Sequence, residues 1–428
     1  MKLEKLYKAE LLNEKQIKNL QEDRLRAHLN HCAKNSPFYR RIFQEKNINA
    51  GKINISTLPT LPFTTKEDLQ NFNKDFLAVD PSSIADIVLS SGTTGAPVRI
   101  VYTAYDLERL SYNEEKAFVG CGMTAKDTVL LTCTMDRCFV AGLAYFLGIR
   151  AVGAAAIRNG LNSVESHAAV IKDLKPTTIV GVPSFIRKLG NYIREKGTGA
   201  ATVDKIICIG EPLRNEYLDL LKVTKDIARL WNARIYSTYS TTEIVTTFCE
   251  CTQKSGGHLH PDLGIVEIVN EEGKLLPPGE KGEVVVTPLA VEGMPLVRFK
   301  TGDISFLIEG HCGCGRNSAR LGPILGRKKQ MIKFKGTTLY PQAVFSAVEE
   351  VKGLSEYYVE VTSENALSDN IKVCISGENL VKEDVENILQ SKLRVTPDIS
   401  IEDEKTIKEK IFDPASRKPV RFFDRRGR

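Results

Sequence analysis

The segment IVLSSGTTGAPVRIVYT, Ile87 to Thr103, decides how the rest of the chain is read. An apolar run, Ile87-Val88-Leu89, stops at Ser90. Small residues follow, Ser91, Gly92, Thr93, Thr94 and Gly95, and a second apolar run resumes at Val98. A strand that ends in such residues exposes backbone N–H groups and hydroxyls together. Its glycines let the backbone approach a guest closely, and the natural guest is a phosphate. The segment lacks the Gly-Lys-Ser/Thr ending of a P-loop, so a different nucleotide fold is needed. Six such residues also suit a polar surface turn, and the remaining sequence has to decide.

Working outward, 428 residues with 42% apolar side chains can bury a large core in two or more domains. A net charge of +6 is small for this length and does not imply nucleic acid. The opening MKLEKLYKAELLNEKQ has no apolar core of the secretory kind, and no run approaches the roughly 18 apolar residues of a membrane span. Ten cysteines, four of them in the tight pairs Cys249/Cys251 and Cys312/Cys314, suit a reduced compartment. The expectation is a soluble cytoplasmic protein.

The first 80 residues read as polar helices broken by STLPTLPFTTKEDL. From Ile84 to about Leu325, short β-like runs alternate with amphipathic helical patterns, as in TTIVGV (Thr177 to Val182) and IICIG (Ile206 to Gly210). That alternation predicts an α/β domain with a largely parallel sheet. After GRKKQ (Gly326 to Gln330) the texture changes to helix, two strands and helix, the size of an ordinary independent domain. The boundaries expected are 1–325 and 326–428.

The ordered motifs resemble those of the adenylate-forming enzymes, specifically the phenylacetate–coenzyme A ligase family. RLRAHLNHCAKNSPFYRRIF (Arg24 to Phe43) and LPFTTKEDL (Leu61 to Leu69) resemble its N-terminal signature, and SSGTTGAP its phosphate loop. IGEPL (Ile209 to Leu213), YSTTE (Tyr239 to Glu243) and RFKTGD (Arg298 to Asp303) resemble its adenine, second nucleotide and ribose motifs. GRKKQMIKFKG (Gly326 to Gly336) resembles the inter-domain hinge, and SRKPVRFFDRR (Ser416 to Arg426) the segment with the catalytic lysine. The fold implied is a large N-terminal adenylate-forming α/β domain with mixed and parallel sheets, and a smaller α+β C-terminal domain.

The resemblance implies two half-reactions. A carboxylate attacks the α-phosphorus of ATP, giving acyl-adenylate and pyrophosphate, and a thiol then displaces AMP. Adenylation supplies the leaving group that a carboxylate lacks, so the protein positions reactants and neutralises charge. Residue roles follow by motif. Ser90 to Gly95 would cradle phosphates, Thr94 among them. Glu243 would hold Mg2+, a hard cation that prefers oxygen ligands. Tyr239 would lie on adenine beside Ser240, where relatives carry Gly, with Thr241 and Thr242 near phosphate and Gly210, Glu211 and Pro212 on the adenine side. Asp303 would accept both ribose hydroxyls, with Arg327 as a second contact. Lys418 would offset charge at the reacting phosphorus; relatives commonly have Gly where Arg417 stands. Lys329 falls at the hinge pivot, and Lys335 and Gly336 would come to the coenzyme A channel, Gly336 because a passing pantetheine arm leaves little room for a Cβ.

FCECTQKSGGHLH and GHCGCGR form a separate constellation. Thiolates and imidazole from two hairpin-like pieces suit tetrahedral Zn2+. The expected ligands are Cys251, His258, Cys312 and Cys314 in a structural role; free cysteines, with His258 in the active-site wall, are the alternative. For the acid, Phe139, Ala141 and Gly142 would line a slot for a flat ring with Pro183 opposite, though core packing of one helix explains them equally. Asp136 and Arg137 hint at a polar substituent. The expected partners are a small carboxylic acid, ATP and coenzyme A, without nucleic acid or membrane, and a homodimer is possible. A carrier-protein phosphopantetheine as acceptor and a non-catalytic nucleotide-binding module are the rival readings.

Overall fold

A computed structural model describes residues 4–90, 97–197, 202–363, 368–412 and 419–426. The chain divides into two compact units. One comprises Met1–Leu218, Val223–Thr301 and Ser305–Ile324, and the other Asp219–Lys222, Gly302–Ile304 and Leu325–Arg428. The small pieces in the second unit lie outside the expected 326–428. The 302–304 piece is drawn in by backbone pairing of Asp303 with Arg327 and Ile304 with Gly326.

The largest sheet among the described residues belongs to the first unit and has nine strands. Five are mutually parallel, in the order Ala155–Arg158, Thr128–Leu131, Thr178–Gly181, Lys205–Cys208 and Arg234–Ser240. The three central ones, Thr128–Leu131, Thr178–Gly181 and Lys205–Cys208, are short and mainly apolar because both faces are covered. Alternate residues serve opposite faces. Leu130, Ile179, Ile206 and Ile235 pack with the helices Val164–Leu174, Pro183–Glu195 and Lys222–Trp231. Val129, Leu131, Val180, Ile207 and Tyr236 pack with the helices Ala104–Gly120 and Val140–Val152.

At Arg234–Ser240 the sheet changes character. Thr247–Glu250 pairs with it antiparallel, followed outward by Gly257–His258, Arg320–Leu321 and Leu307–Ile308. The N-terminal helix Glu14–Asn35 starts at an Asn13 capping box and buries Leu25, His28, Leu29 and Cys32, one helical face.

In the second unit the strands run Asp398–Ile401, Asp369–Gly377, Leu354–Ser363, Phe422–Asp424. The helices Pro341–Val348 and Lys382–Leu393 bury Val344, Val348, Leu389 and Leu393 among Val359, Val361 and Val373. Helix Glu404–Ile411 sets Ile407 and Ile411 against Tyr358 and Cys374. Among the described residues no helix is long and apolar enough to cross a membrane.

Candidate active site

Four adjacent parallel strands end on one edge of the sheet, and each delivers a segment singled out in the sequence. Thr128–Leu131 leads into Thr132–Phe139, Thr178–Gly181 into Val182 and Pro183, Lys205–Cys208 into Gly210, Glu211 and Pro212, and Arg234–Ser240 into Thr241, Thr242 and Glu243. Carboxyl ends of parallel strands are where open α/β sheets take their ligands, because the loops there converge while the strands stay rigid. The loops are tied together. Gly210 has φ +71°, a left-handed turn that glycine makes at little cost. The Glu211 carboxylate accepts from the Ser184 N–H at 3.0 Å and the Ser184 hydroxyl at 2.8 Å, joining the adenine-side loop to the start of helix Pro183–Glu195.

Ser90 follows the strand Ile84–Leu89. Its N–H donates to the Val98 carbonyl at 2.8 Å, and its hydroxyl accepts from the Val98 N–H at 3.0 Å. Ser90 and Val98 thus pinch the base of the small-residue loop. Ser91, Gly92, Thr93, Thr94 and Gly95, and likewise Lys418, lie outside the described residues.

Glu243 is buried, and Lys66 Nζ lies 3.8 Å from its Oε1. Lys66 opens the helix Lys66–Asn71, fixed by a Thr65–Asp68 capping box. The sequence reading assigned Lys66 no role; the signal was its place inside LPFTTKEDL, but the partner is 177 residues away. The Thr242 carbonyl accepts from the Tyr102 hydroxyl at 3.0 Å, and the Ser240 hydroxyl donates to the Thr246 carbonyl at 2.8 Å, closing the turn. The half-buried Tyr239 ring stacks on Phe248 with centroids 6.2 Å apart.

In the second unit, Arg327 Nε lies 3.4 Å from Asp303 Oδ1, across the strand pair described above. Lys329 sits in the short 3-10 helix Lys328–Gln330. Lys335 and Gly336 form the two-residue turn between Ile332–Phe334 and Thr337–Leu339, with φ +47° and +76°. That turn demands left-handed backbone, and a Cβ on Gly336 would meet nothing within 4 Å. The glycine is therefore explained by the hairpin, a correction to the steric reason read from the sequence.

For the acyl slot, Phe139 caps the helix Val140–Val152 and is about one-third exposed, Ala141 is half-buried, and Pro183 begins its helix. Gly142 is different. A Cβ there would lie 2.0 Å from the Thr134 carbonyl oxygen, so its missing side chain is occupied by backbone rather than left as space. Asp136 and Arg137 are exposed, which removes the basis for reading a polar pocket from them. Arg137 and Cys138 both have positive φ, +60° and +54°, an uncommon and costly pair for non-glycine residues. The Cys138 carbonyl accepts from the Leu89 N–H at 2.8 Å, anchoring that segment beside Ser90.

The structure brings Cys251, His258, Cys312 and Cys314 together, with all four ligand atoms within 4.8 Å of one another. Cys251 follows the strand Thr247–Glu250, His258 lies on its hairpin partner, and the two remaining cysteines lie between Leu307–Ile308 and Arg320–Leu321. Two hairpins of one sheet thus supply the set. The Cys251–Cys312 sulfurs are 3.7 Å apart, and Cys314 Sγ is 3.4 Å from His258 Nε2. A tetrahedral Zn2+ with Zn–S about 2.3 Å and Zn–N about 2.0 Å has edges of about 3.8 and 3.5 Å. The donor set and spacing fit that ion. Burial, reinforced by the nearby cations Arg316 and Arg320, holds His258 down at about 3, so its ring is neutral and able to ligate. His258 Nδ1 is 3.1 Å from the Ser318 hydroxyl, which orients the ring. Burial pushes the Cys251 thiol up to about 12. Burial acts the same way on Cys314, but bonds from the Arg316 side chain and amide outweigh it and lower the thiol.

Residues 16–291 match the sequence profile of the AMP-binding enzyme family. The chain is 30% identical over 386 residues to a phenylacetate–coenzyme A ligase of Thermus thermophilus, covering 87% of this chain and 84% of that protein. It is 27% identical to the phenylacetate–coenzyme A ligase of Escherichia coli, over 84% of this chain and 82% of that one. Among solved structures, 2-hydroxyisobutyryl-CoA ligase with its acyl-AMP superposes with a TM-score of 0.87 at 18% identity, covering 99% of this chain and 94% of that one. The chain belongs to the AMP-binding enzymes and, within them, to the phenylacetate–coenzyme A ligase family of AMP-forming acyl-coenzyme A ligases.

Proposed function

We propose that this chain activates an aryl or arylacetic acid, of which phenylacetate is the prototype, as its adenylate and passes the acyl group to coenzyme A. One observation carries the reading. Four neighbouring parallel strands present the acyl segment, the wall at Pro183, the adenine-side loop and the Glu243 turn on a single sheet edge. An acid and a nucleotide bound at that edge would meet.

In this reading Ser90, Ser91, Gly92, Thr93, Thr94 and Gly95 cradle the β- and γ-phosphates. Mg2+, held at Glu243, would neutralise phosphate oxygens when bound. Lys66 beside Glu243 adds a positive charge at the same place. Tyr239, Ser240, Thr241 and Thr242 bound the nucleotide with Gly210, Glu211 and Pro212, and Asp303 with Arg327 takes the ribose. Lys418 orients the attacking carboxylate and offsets charge at the α-phosphorus. Lys335 and Gly336 serve the coenzyme A arm. The four-ligand zinc site is structural, since three thiolates and an imidazole fill a tetrahedron and leave no open position for substrate.

The test is pyrophosphate release with Mg-ATP across arylacetates, benzoates, indole acids and short fatty acids, with and without coenzyme A. Turnover with an arylacetate that requires coenzyme A supports the proposal. Release that stalls near one equivalent and ignores coenzyme A would move the acceptor to a carrier protein. Silence with every acid would overturn the reading.

A further inference from the structure

Behind the acyl segment lie polar groups that this chemistry does not use. Glu114, on helix Ala104–Gly120, is 1% exposed. Its Oε1 accepts from the Thr247 hydroxyl and, at 3.4 Å, from Asn113 Nδ2. Its Oε2 has no hydrogen-bond partner among the described residues, and neither has Asn113 Oδ1. Tyr145, on helix Val140–Val152, is 5% exposed, and its hydroxyl likewise makes no hydrogen bond among the described residues.

These groups adjoin one another where the two helices cross. A Cβ on Gly148 would lie 2.3 Å from Glu114 Cβ and 3.1 Å from Phe118, so Gly148 is where the backbones approach. Tyr145 is three residues before Gly148 and shares its face, and its ring centroid is 6.0 Å from that of Phe118, one turn beyond Glu114. Tyr145 is also four residues after Ala141 and three after Gly142, one helical turn deeper than the expected acyl slot. It packs in the same cluster as Cys133, Val180 and Ile209 near the sheet edge, with Ala141, Met135 and Val182 against it.

A buried oxygen left without a partner costs about 1–3 kcal/mol, and an apolar residue would avoid it. Glu114 Oε2 and Asn113 Oδ1 are such oxygens, and with the Tyr145 hydroxyl one helical turn behind the expected acyl slot they make sense if a ligand reaching that depth supplies the missing partners. We propose that Glu114 and Tyr145 form a polar floor to the acyl pocket and select a carboxylic acid whose far end carries a hydroxyl or amino group. The inference rests on the ligase reading above and narrows its substrate class. Burial raises Glu114 to about 7, against bonds from Thr247 and Asn113 that lower it, so near neutral pH a large share is the neutral acid, which donates as well as accepts. Burial and then the Glu114 charge push the Tyr145 phenol well up, which keeps it a donor.

The experiment compares kcat/KM for phenylacetate with that for its 2-, 3- and 4-hydroxy and amino derivatives, in the wild type, Tyr145→Phe and Glu114→Gln. A pocket built to bond such a group rejects the analogue lacking it, because its own polar atoms then stay unpaired. The expected wild-type preference is at least tenfold for one substituted isomer, and Tyr145→Phe lowers that ratio at least tenfold. The wild-type panel stands even if a variant does not fold. Turnover of substituted and plain acids within threefold at every position overturns the proposal, as does a preference unchanged in both variants. If no acid releases pyrophosphate, it is the ligase reading that falls, and this inference with it.

Discussion

Replacing Arg109 tests how the Glu243 turn is held. Arg109 is fully buried in helix Ala104–Gly120. Its Nε donates to the Leu289 carbonyl at 2.7 Å, Nη1 to the Val245 carbonyl, and Nη2 to the Thr246 hydroxyl at 3.1 Å and the Leu263 carbonyl at 2.5 Å. Burial lowers the guanidinium to about 10, while the neighbouring Asp106 opposes the shift, so it remains charged at neutral pH. Val245, two residues after Glu243, has φ +50°, an uncommon backbone for a β-branched residue. Arg109→Met fills similar space and leaves the Leu289 and Val245 carbonyls unpaired at about 1–3 kcal/mol each, while the Leu263 carbonyl keeps the Leu289 N–H at 2.9 Å. Part of that is recovered because a buried charge is also removed, which puts the net loss at about 2–4 kcal/mol. Urea unfolding followed by circular dichroism reads the loss. Hydrogen exchange on residues 241–246 reads its location, and kcat/KM falls because Thr242 and Glu243 ride on that turn. Arg109→Lys should be intermediate, since one ammonium cannot reach three separate loops. A methionine variant within about 1 kcal/mol of wild type, with the turn still protected, would refute the reasoning.

Other outcomes follow from the same coordinates. Elemental analysis should find about one zinc per chain, and Cys312→Ala should weaken retention at least tenfold and lower the melting temperature, because removing one thiolate opens the tetrahedron. Burial tends to raise Glu10, but bonds and charge from His260 and Lys116 outweigh it and hold the carboxyl at about 2. A depressed acid stabilises above its unfolded value, so about 3 kcal/mol should be lost as pH falls from about 4.5 to about 2, and Glu10→Gln should flatten that limb of a stability–pH curve. Gly336→Ala should cost about 1–2 kcal/mol in thermal unfolding, the left-handed strain alone, since the space is open. Gly142→Ala should disturb the fold more, and a crystal structure would show the Thr134 segment displaced.

The parallel sheet was legible because strands buried on both faces, such as Thr178–Gly181 and Lys205–Cys208, have little choice but to be apolar beyond their first residue. The cluster of Cys251, His258, Cys312 and Cys314 was legible because thiols and imidazoles at hairpin spacing have few other uses. Helix Ala104–Gly120 was not legible in this way. Asp106, Arg109, Asn113, Glu114 and Lys116 would pass as a solvated face, yet all are buried. Periodicity separates apolar from polar and cannot reveal a polar residue whose partner comes from a distant loop. The same limit hid Lys66 beside Glu243. It also drew attention to the exposed Asp136 and Arg137, while the buried polar pair stood at Glu114 and Tyr145.

That helix explains why the site can be built from so many separate segments. Asp106 accepts from the Glu292 and Gly293 N–H groups at 2.7 and 2.8 Å, and Arg109 holds the backbone at Val245, Leu263 and Leu289. The Tyr112 hydroxyl donates to Asp262 at 2.9 Å, and Lys116 pairs with Asp262 at 2.8 Å and with Glu10 at 2.9 Å. Glu10 also meets His260 Nδ1 at 2.6 Å, and its carbonyl accepts from the Asn317 N–H in the loop that carries Cys312 and Cys314. One helix therefore grips the turn bearing Glu243 directly and the loop of Cys312 and Cys314 through Glu10. Apolar packing would tolerate small slips between these loops, whereas a buried charge is satisfied in one arrangement only. Such pairs often add little net stability, because desolvation offsets attraction. What they supply here is register: the turn bearing Glu243 is held to one geometry by groups that lose their partners if it moves.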